Sequence, residues 1–309
     1  MPSIAERPID DNTCSTPSLP RATLYISHHL AQKLLELYDV PHPFQPDRII
    51  IGYDKPHALR TAKMCGAVAK ALHYASPRIE QFQIACLLHD LGRVGLDQDL
   101  FGKIWSWAKA QGIPTRPREW RDAYPDTLPG KETAAFLRRF SQSLEAAGIV
   151  MDKWAREQVE MRLGFARRLR KQLRMAQPKL LAWGIAWSPW MERIMLYYYY
   201  PEKLARCPSW VRQLAEILVA CEQLEAYSNA RRGRDYYTRE HENLRDAFEY
   251  LIRLHHEGLI SRTVLGTVYR LALHHVFDEV LAAARGSTLC AEDRHHLMAV
   301  AHRIPPCPS

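Results

Sequence analysis

The sequence predicts an all-α protein, and three observations carry that expectation. Apolar residues recur at helical spacing from Ala22 onward, period-two alternation is nearly absent, and prolines punctuate the chain between periodic stretches. The 309 residues are 47% hydrophobic and 25% charged, which are globular proportions and exclude a disordered chain, a collagen or a disulfide miniprotein. Lys and Arg number 42 against 34 Asp and Glu, and the resulting charge of +8 hints at an anionic partner.

Residues 1–22 are polar, hold Pro and Ser, and lack an apolar period, so a flexible leader is expected ahead of a single helical domain over 23–303, with 304–309 as a tail. Helices are expected near 24–39, 57–73, 78–90, 99–111, 130–147, 152–176, 189–199, 208–230, 236–256, 261–285 and 290–302. The second of these shows the pattern plainly: Leu59, Ala62, Cys65, Ala69 and Leu72 fall at spacings of 3, 3, 4 and 3 on one face. The best strand candidate is the short run Arg48–Gly52, which reads equally well as an extended lead-in. Pro114, Pro117, Pro125 and Pro129 mark a long connection, and Pro178, Pro189, Pro201 and Pro208 mark later turns.

Seven cysteines with no C-x-x-C pair suggest free thiols rather than a disulfide framework or a cysteine zinc site. No run approaches the roughly 18 apolar residues of a membrane span, and the first twenty residues carry acids and prolines where a signal peptide has a basic start and an apolar stretch. A cytoplasmic protein with no membrane partner is expected.

The chemistry concentrates in Ile79–Gly95, where an apolar helix ends in His89 and Asp90, followed by Gly92 and Arg93. His57 opens the preceding helix. Burying such polar groups needs compensation, which a divalent metal provides; two imidazoles and a carboxylate offer three ligands and leave positions open for water and substrate.

With its apolar lead-in, "ACLLHDLGR" and the upstream His57, the chain resembles the HD superfamily of metal-dependent phosphohydrolases, and within it the HD-GYP branch of cyclic di-GMP phosphodiesterases. The resemblance implies an HD-type helical bundle with extra helices, a site for one divalent ion (Mn, Fe, Mg or Zn) on His57, His89, Asp90 and Glu222, and catalytic roles for Asp90 and Arg93. It also implies hydrolysis of a nucleotide or phosphodiester, with Arg93, Lys131 and Arg231 as phosphate contacts. Glu222, Glu225, Ala226, Arg231 and Tyr236 fall where that branch has Asp-x-x-Asp-Ala, an arginine and a tyrosine, so both aspartates are glutamates here.

The departures are equally informative. Between Asp90 and His241 there is no histidine; Trp190, Met191, Glu192 and Arg193 stand where the branch has His-His-Glu, and Tyr199, Tyr200 and Pro201 replace Gly-Tyr-Pro without its glycine. A reduced, mononuclear site follows from the comparison, and the alternative function is a catalytically degenerate nucleotide-binding or protein-interaction regulatory module. His255, His256 and Glu257 lie downstream of the last ligand position and read as surface residues, as do the pairs His274–His275 and His295–His296.

From Arg162 to Lys179 the chain holds seven basic residues and no acid. The apolar positions Val159, Leu163, Ala166, Leu169, Leu173 and Ala176 keep helical spacing through it, predicting one amphipathic helix with a basic outer face. That face is either simply solvated or a docking surface for an acidic protein partner; with Phe165 its only aromatic, nucleic acid is the less favoured ligand. Tyr197–Tyr200 with Trp183, Trp187 and Trp190 read as core rather than as a stacking platform.

Overall fold

The computed structural model describes residues 19–228 and 243–304. Their architecture is a helical bundle carrying one β-hairpin. Helix α1 (His28–Glu36), capped by the Ser27 side chain, leads into strands β1 (Val40–His42) and β2 (Gln45–Ile50), which pair antiparallel with Val40 opposite Ile50. The first three residues of the Arg48–Gly52 run thus form the second half of strand β2, and Ile51 and Gly52 lead on toward α2.

Helices α2 (Lys55–Ala71) and α3 (Ser76–Leu88) follow, packed along each other, and a 3-10 turn at Leu91–Arg93 ends the second. Next come α4 (Gln98–Ala110), α5 (Pro117–Ala123), α6 (Glu132–Ala146), α7 (Lys153–Leu163) and α8 (Phe165–Ala182). The C-terminal half adds α9 (Pro189–Leu196), α10 (Ser209–Ser228), α11 (Leu244–His256), α12 (Arg262–Leu273), α13 (Asp278–Arg285) and α14 (Ala291–Ala299).

Apolar burial divides into two clusters. The larger joins α1–α3 and α8–α14 through residues such as Leu34, Phe82, Leu87, Leu218 and Phe248. The smaller lies among α4–α7, where the Trp105 and Trp120 rings pack on Phe136 at centroid distances of 5.2 and 5.8 Å. Tyr197 is buried in the larger cluster, and Tyr198–Tyr200, Trp183, Trp187 and Trp190 pack half-buried against it, in keeping with their core reading.

Three differences from the sequence expectation have local causes. The long basic helix breaks at Gly164, because the Glu160 carboxyl group, held by Arg167, lies within 2.2 Å of where a Cβ would stand. The second half then runs through Pro178, whose ring sits on the solvent side, to Ala182. The expected helix 261–285 breaks where His275 takes a left-handed φ of 66° and the buried Phe277 turns the chain into α13. Helix α5 arises within the proline-punctuated connection, with Pro117 in its first turn, where a missing N–H costs nothing.

Cys65, Cys86 and Cys221 meet in the larger core from α2, α3 and α10, and burial pushes all three thiols up. Since the thiolate is the reacting form, these cysteines are expected to resist iodoacetamide at pH 8 in the native protein and to react once denatured. Among the described cysteines exposed Cys290 should label first, and peptide mapping by mass spectrometry separates the sites. Native labelling of Cys65 at the rate of Cys290 would rule out this packing.

Candidate metal centre

His57 is the third residue of α2, whose first turn tolerates Pro56. His89 is the C-terminal cap of α3, and its Nδ1 meets the Cys86 carbonyl at 2.7 Å, a helix-end carbonyl that also accepts from the His89 backbone N–H at 3.4 Å. Asp90 follows at φ −99°, where the chain turns into the 3-10 segment. All three side chains are buried, at 2%, 4% and 2% exposure.

Their ligating atoms lie within 4.8 Å of one another. The Nε2 atoms of His57 and His89 each stand 3.7 Å from Asp90 Oδ2, and the two ring centroids are 5.1 Å apart. His57 is held from behind through a contact between its Nδ1 and Glu225 Oε2. With each Nδ1 facing an oxygen acceptor and so carrying the ring proton, each Nε2 presents a lone pair toward the carboxylate. Among the described residues the Nε2 of His89 has no hydrogen-bond partner. Three electron-pair donors converging from buried side chains are a donor set a divalent cation can use, so the residues present fit such an ion.

Arg93 borders this group. Its Nη1 lies 3.3 Å from Asp90 Oδ2 and 3.9 Å from Oδ1 of buried Asp54, with the guanidinium 5.9 Å over the Phe165 ring. Burial raises the Tyr38 hydroxyl well above its usual range, with the Asp90 and Asp54 charges adding to the shift; it stays protonated and donates to the Leu87 carbonyl at 2.8 Å. Gly92 lets Phe165 and α8 close on the turn: an added Cβ would stand 2.7 Å from the Phe165 ring and 3.2 Å from the Leu169 nitrogen.

In comparisons with known proteins, no family model, curated protein or solved structure matches the chain. The site is therefore read from its own geometry.

That geometry brings together His57, His89, Asp90 and Arg93. Glu222, half-buried on α10, stands outside the group of three, with its charge felt at Tyr198, Tyr199 and Cys65. Lys131 is exposed just before α6, and Arg231 lies outside the described residues, as does Tyr236. Tyr199 packs on Phe165 at 5.1 Å and walls the site; burial raises its hydroxyl, opposed by Arg93 and reinforced by Glu222 and Asp90. Its other side lines an open cleft of about 480 Å³, where Arg118, Arg121 and Arg212 are matched by Asp122, Glu202 and Glu257.

Sequence reasoning passed over Asp54, Arg60 and the contact made by Glu225. Asp54 looks like an ordinary N-cap residue, yet its side chain caps nothing. The spacing of His57 and Arg60, which puts both on one face of α2, is the signal that could have paired them with a carboxylate.

Four of the seven cations of the basic run are engaged by other residues of the chain. Arg162 donates to Thr115, Arg167 pairs with Glu160, Arg168 with Glu157 and Arg170 with Glu192, while Lys171, Arg174 and Lys179 are exposed. A continuous basic face over 162–179 is therefore replaced by a smaller one on the second half of α8. Among the described residues no helix is long and apolar enough to cross a membrane. His256, Glu257, His274, His275 and His295 are exposed, in line with their surface reading, whereas His255, whose Nδ1 meets the Ile260 carbonyl at 2.8 Å, and His296 are half-buried.

Proposed function

We propose that the protein is an HD-type metal-dependent phosphohydrolase acting on a nucleotide or phosphodiester, with one divalent ion on His57, His89 and Asp90 and with Glu222 as a fourth ligand from α10. The observation that carries this reading is the convergence of two imidazole Nε2 atoms and one carboxylate, all on buried side chains, beside a partly exposed arginine. When bound, such an ion supplies Lewis acidity at a phosphoryl oxygen and acidifies a water.

The chain's own residues do the rest. Asp90 would bring the negative charge of the three ligands, and each of the two rings would donate a nitrogen lone pair. Arg93, placed between Asp90 and Asp54, offers fixed donors to phosphate oxygens and steadies the charge that develops on them. Phe165 and Tyr199 keep the surroundings apolar, which strengthens each of these interactions. For an acidic protein partner, Lys171, Arg174 and Lys179 are the contacts we propose. A regulatory module that binds a nucleotide without turnover is the second reading, favoured by the engagement of Arg93 with two carboxylates.

Metal analysis of the purified protein tests the proposal, with His89→Ala and Asp90→Ala as controls. One equivalent of metal, lost in both variants, is expected, and no metal in the parent sinks the enzyme reading. An ion at about a hundred times its Kd should stabilise the parent by about 2.7 kcal/mol, or about 4 °C at this chain length, and leave His89→Ala unmoved. A screen of phosphodiesters and nucleotides then separates turnover from binding.

A further inference from the structure

We infer that Glu225, backed by Arg60, is a positioning residue that sets the tautomer and aim of His57. The inference rests on the metal-site reading only for its purpose, because the contacts themselves belong to the protein alone. Glu225 is fully buried on α10. One carboxylate oxygen contacts His57 Nδ1, and the other accepts from Arg60 Nε at 2.7 Å and lies 2.6 Å from Arg60 Nη2. His57 and Arg60 stand one turn apart on α2, so a single carboxylate from the facing helix grips both.

An acceptor at Nδ1 holds the ring proton there and leaves the lone pair on Nε2, the nitrogen that faces Asp90. The forked contact with Arg60 fixes the carboxylate in turn, since a guanidinium presents its donors in a rigid plane. With both oxygens engaged behind the ring, Glu225 orients a ligand rather than serving as one. His89 is held differently, by a backbone carbonyl that no side-chain substitution removes. His57 is thus the ring whose orientation depends on side chains, and the α2–α10 contact is where the site is sensitive to substitution.

Glu225→Gln tests this without changing side-chain size, because an amide can turn its NH2 toward His57 and favour the opposite tautomer. Two readouts are needed. The first is Co2+ affinity from its visible absorption, with His89→Ala as background; Glu225→Gln is expected to weaken binding by about 10- to 100-fold, the usual range for partners of metal-bound histidines. The second is the ring 15N pattern of His57 without metal, assigned with His57→Gln. It should show Nδ1 protonated in the parent and a changed or mixed pattern in Glu225→Gln. Arg60→Gln, which retains the Glu225 carboxylate but removes the fork that fixes it, should shift both readouts in the same direction by less. Equal Co2+ affinity with an unchanged 15N pattern would overturn the inference. If parent and His89→Ala take up Co2+ alike, the metal-site reading fails instead, and the 15N pattern alone decides the role of Glu225.

Discussion

On the proposed phosphohydrolase reading, replacing Asp90 by Asn is expected to lower phosphodiester hydrolysis by about a thousandfold or more, equivalent to about 4 kcal/mol of transition-state stabilisation, while leaving the protein folded. Asn matches Asp in shape, so the packing around the turn survives. What disappears is the negative charge among the three convergent ligands, and with it most of the attraction for a divalent ion. The same change releases Arg93 from its closer carboxylate at 3.3 Å and leaves it with Asp54 at 3.9 Å. Loss of metal and displacement of the phosphate donor act together, and removal of one electrostatic contributor of this kind alone costs about 100- to 1,000-fold. Steady-state kinetics at saturating metal, alongside circular dichroism, checks the prediction. Full activity in a folded Asp90→Asn protein would remove Asp90 from the reaction and with it the proposed centre.

His57, His89 and Asp90 could be read from sequence because each sits at a helix end that the apolar spacing already marks. An adjacent His-Asp pair closing the run before Gly92 is a local signal, and local signals survive without knowledge of packing. Glu225 shows the limit. The sequence places it one turn from Glu222 on the same helix, and nothing local decides which of the two carboxylates turns toward His57; that choice depends on how α10 lies against α2. Asp54 fails for a related reason, since an aspartate before a helix is an ordinary cap and only the fold puts it near Arg93. The break between α7 and α8 was hidden because apolar spacing continues from Val159 to Leu173 straight across Gly164. Periodicity reports which face is buried and not whether the axis is continuous.

Arg168 is where that limit has its largest measurable consequence. By sequence it is one of seven cations on an outward basic face, for which alanine substitution changes stability by no more than about 0.5 kcal/mol. In the fold its Nε donates to the Gly92 carbonyl at 2.9 Å and its Nη2 to the Val94 carbonyl at 2.8 Å, with Nη1 2.6 Å from Glu157. It therefore clamps the turn that carries Arg93. Hydrogen bonds from a charged donor contribute about 1.5–3 kcal/mol each, so losing the two carbonyl bonds in Arg168→Ala should cost roughly 3–5 kcal/mol. The pair with half-exposed Glu157 adds little. At about 2.1 cal/mol/K per residue this corresponds to a fall in Tm of about 5–8 °C by calorimetry. Lys171→Ala and Arg174→Ala, exposed one turn further along α8, should leave Tm within about 1 °C. Equal Tm values for the three variants would return Arg168 to the solvated face. Arg168→Lys makes the distinction sharper: it keeps the charge and the reach but cannot direct separate donors at two carbonyls, so it should recover the pair with Glu157 and only part of the stability.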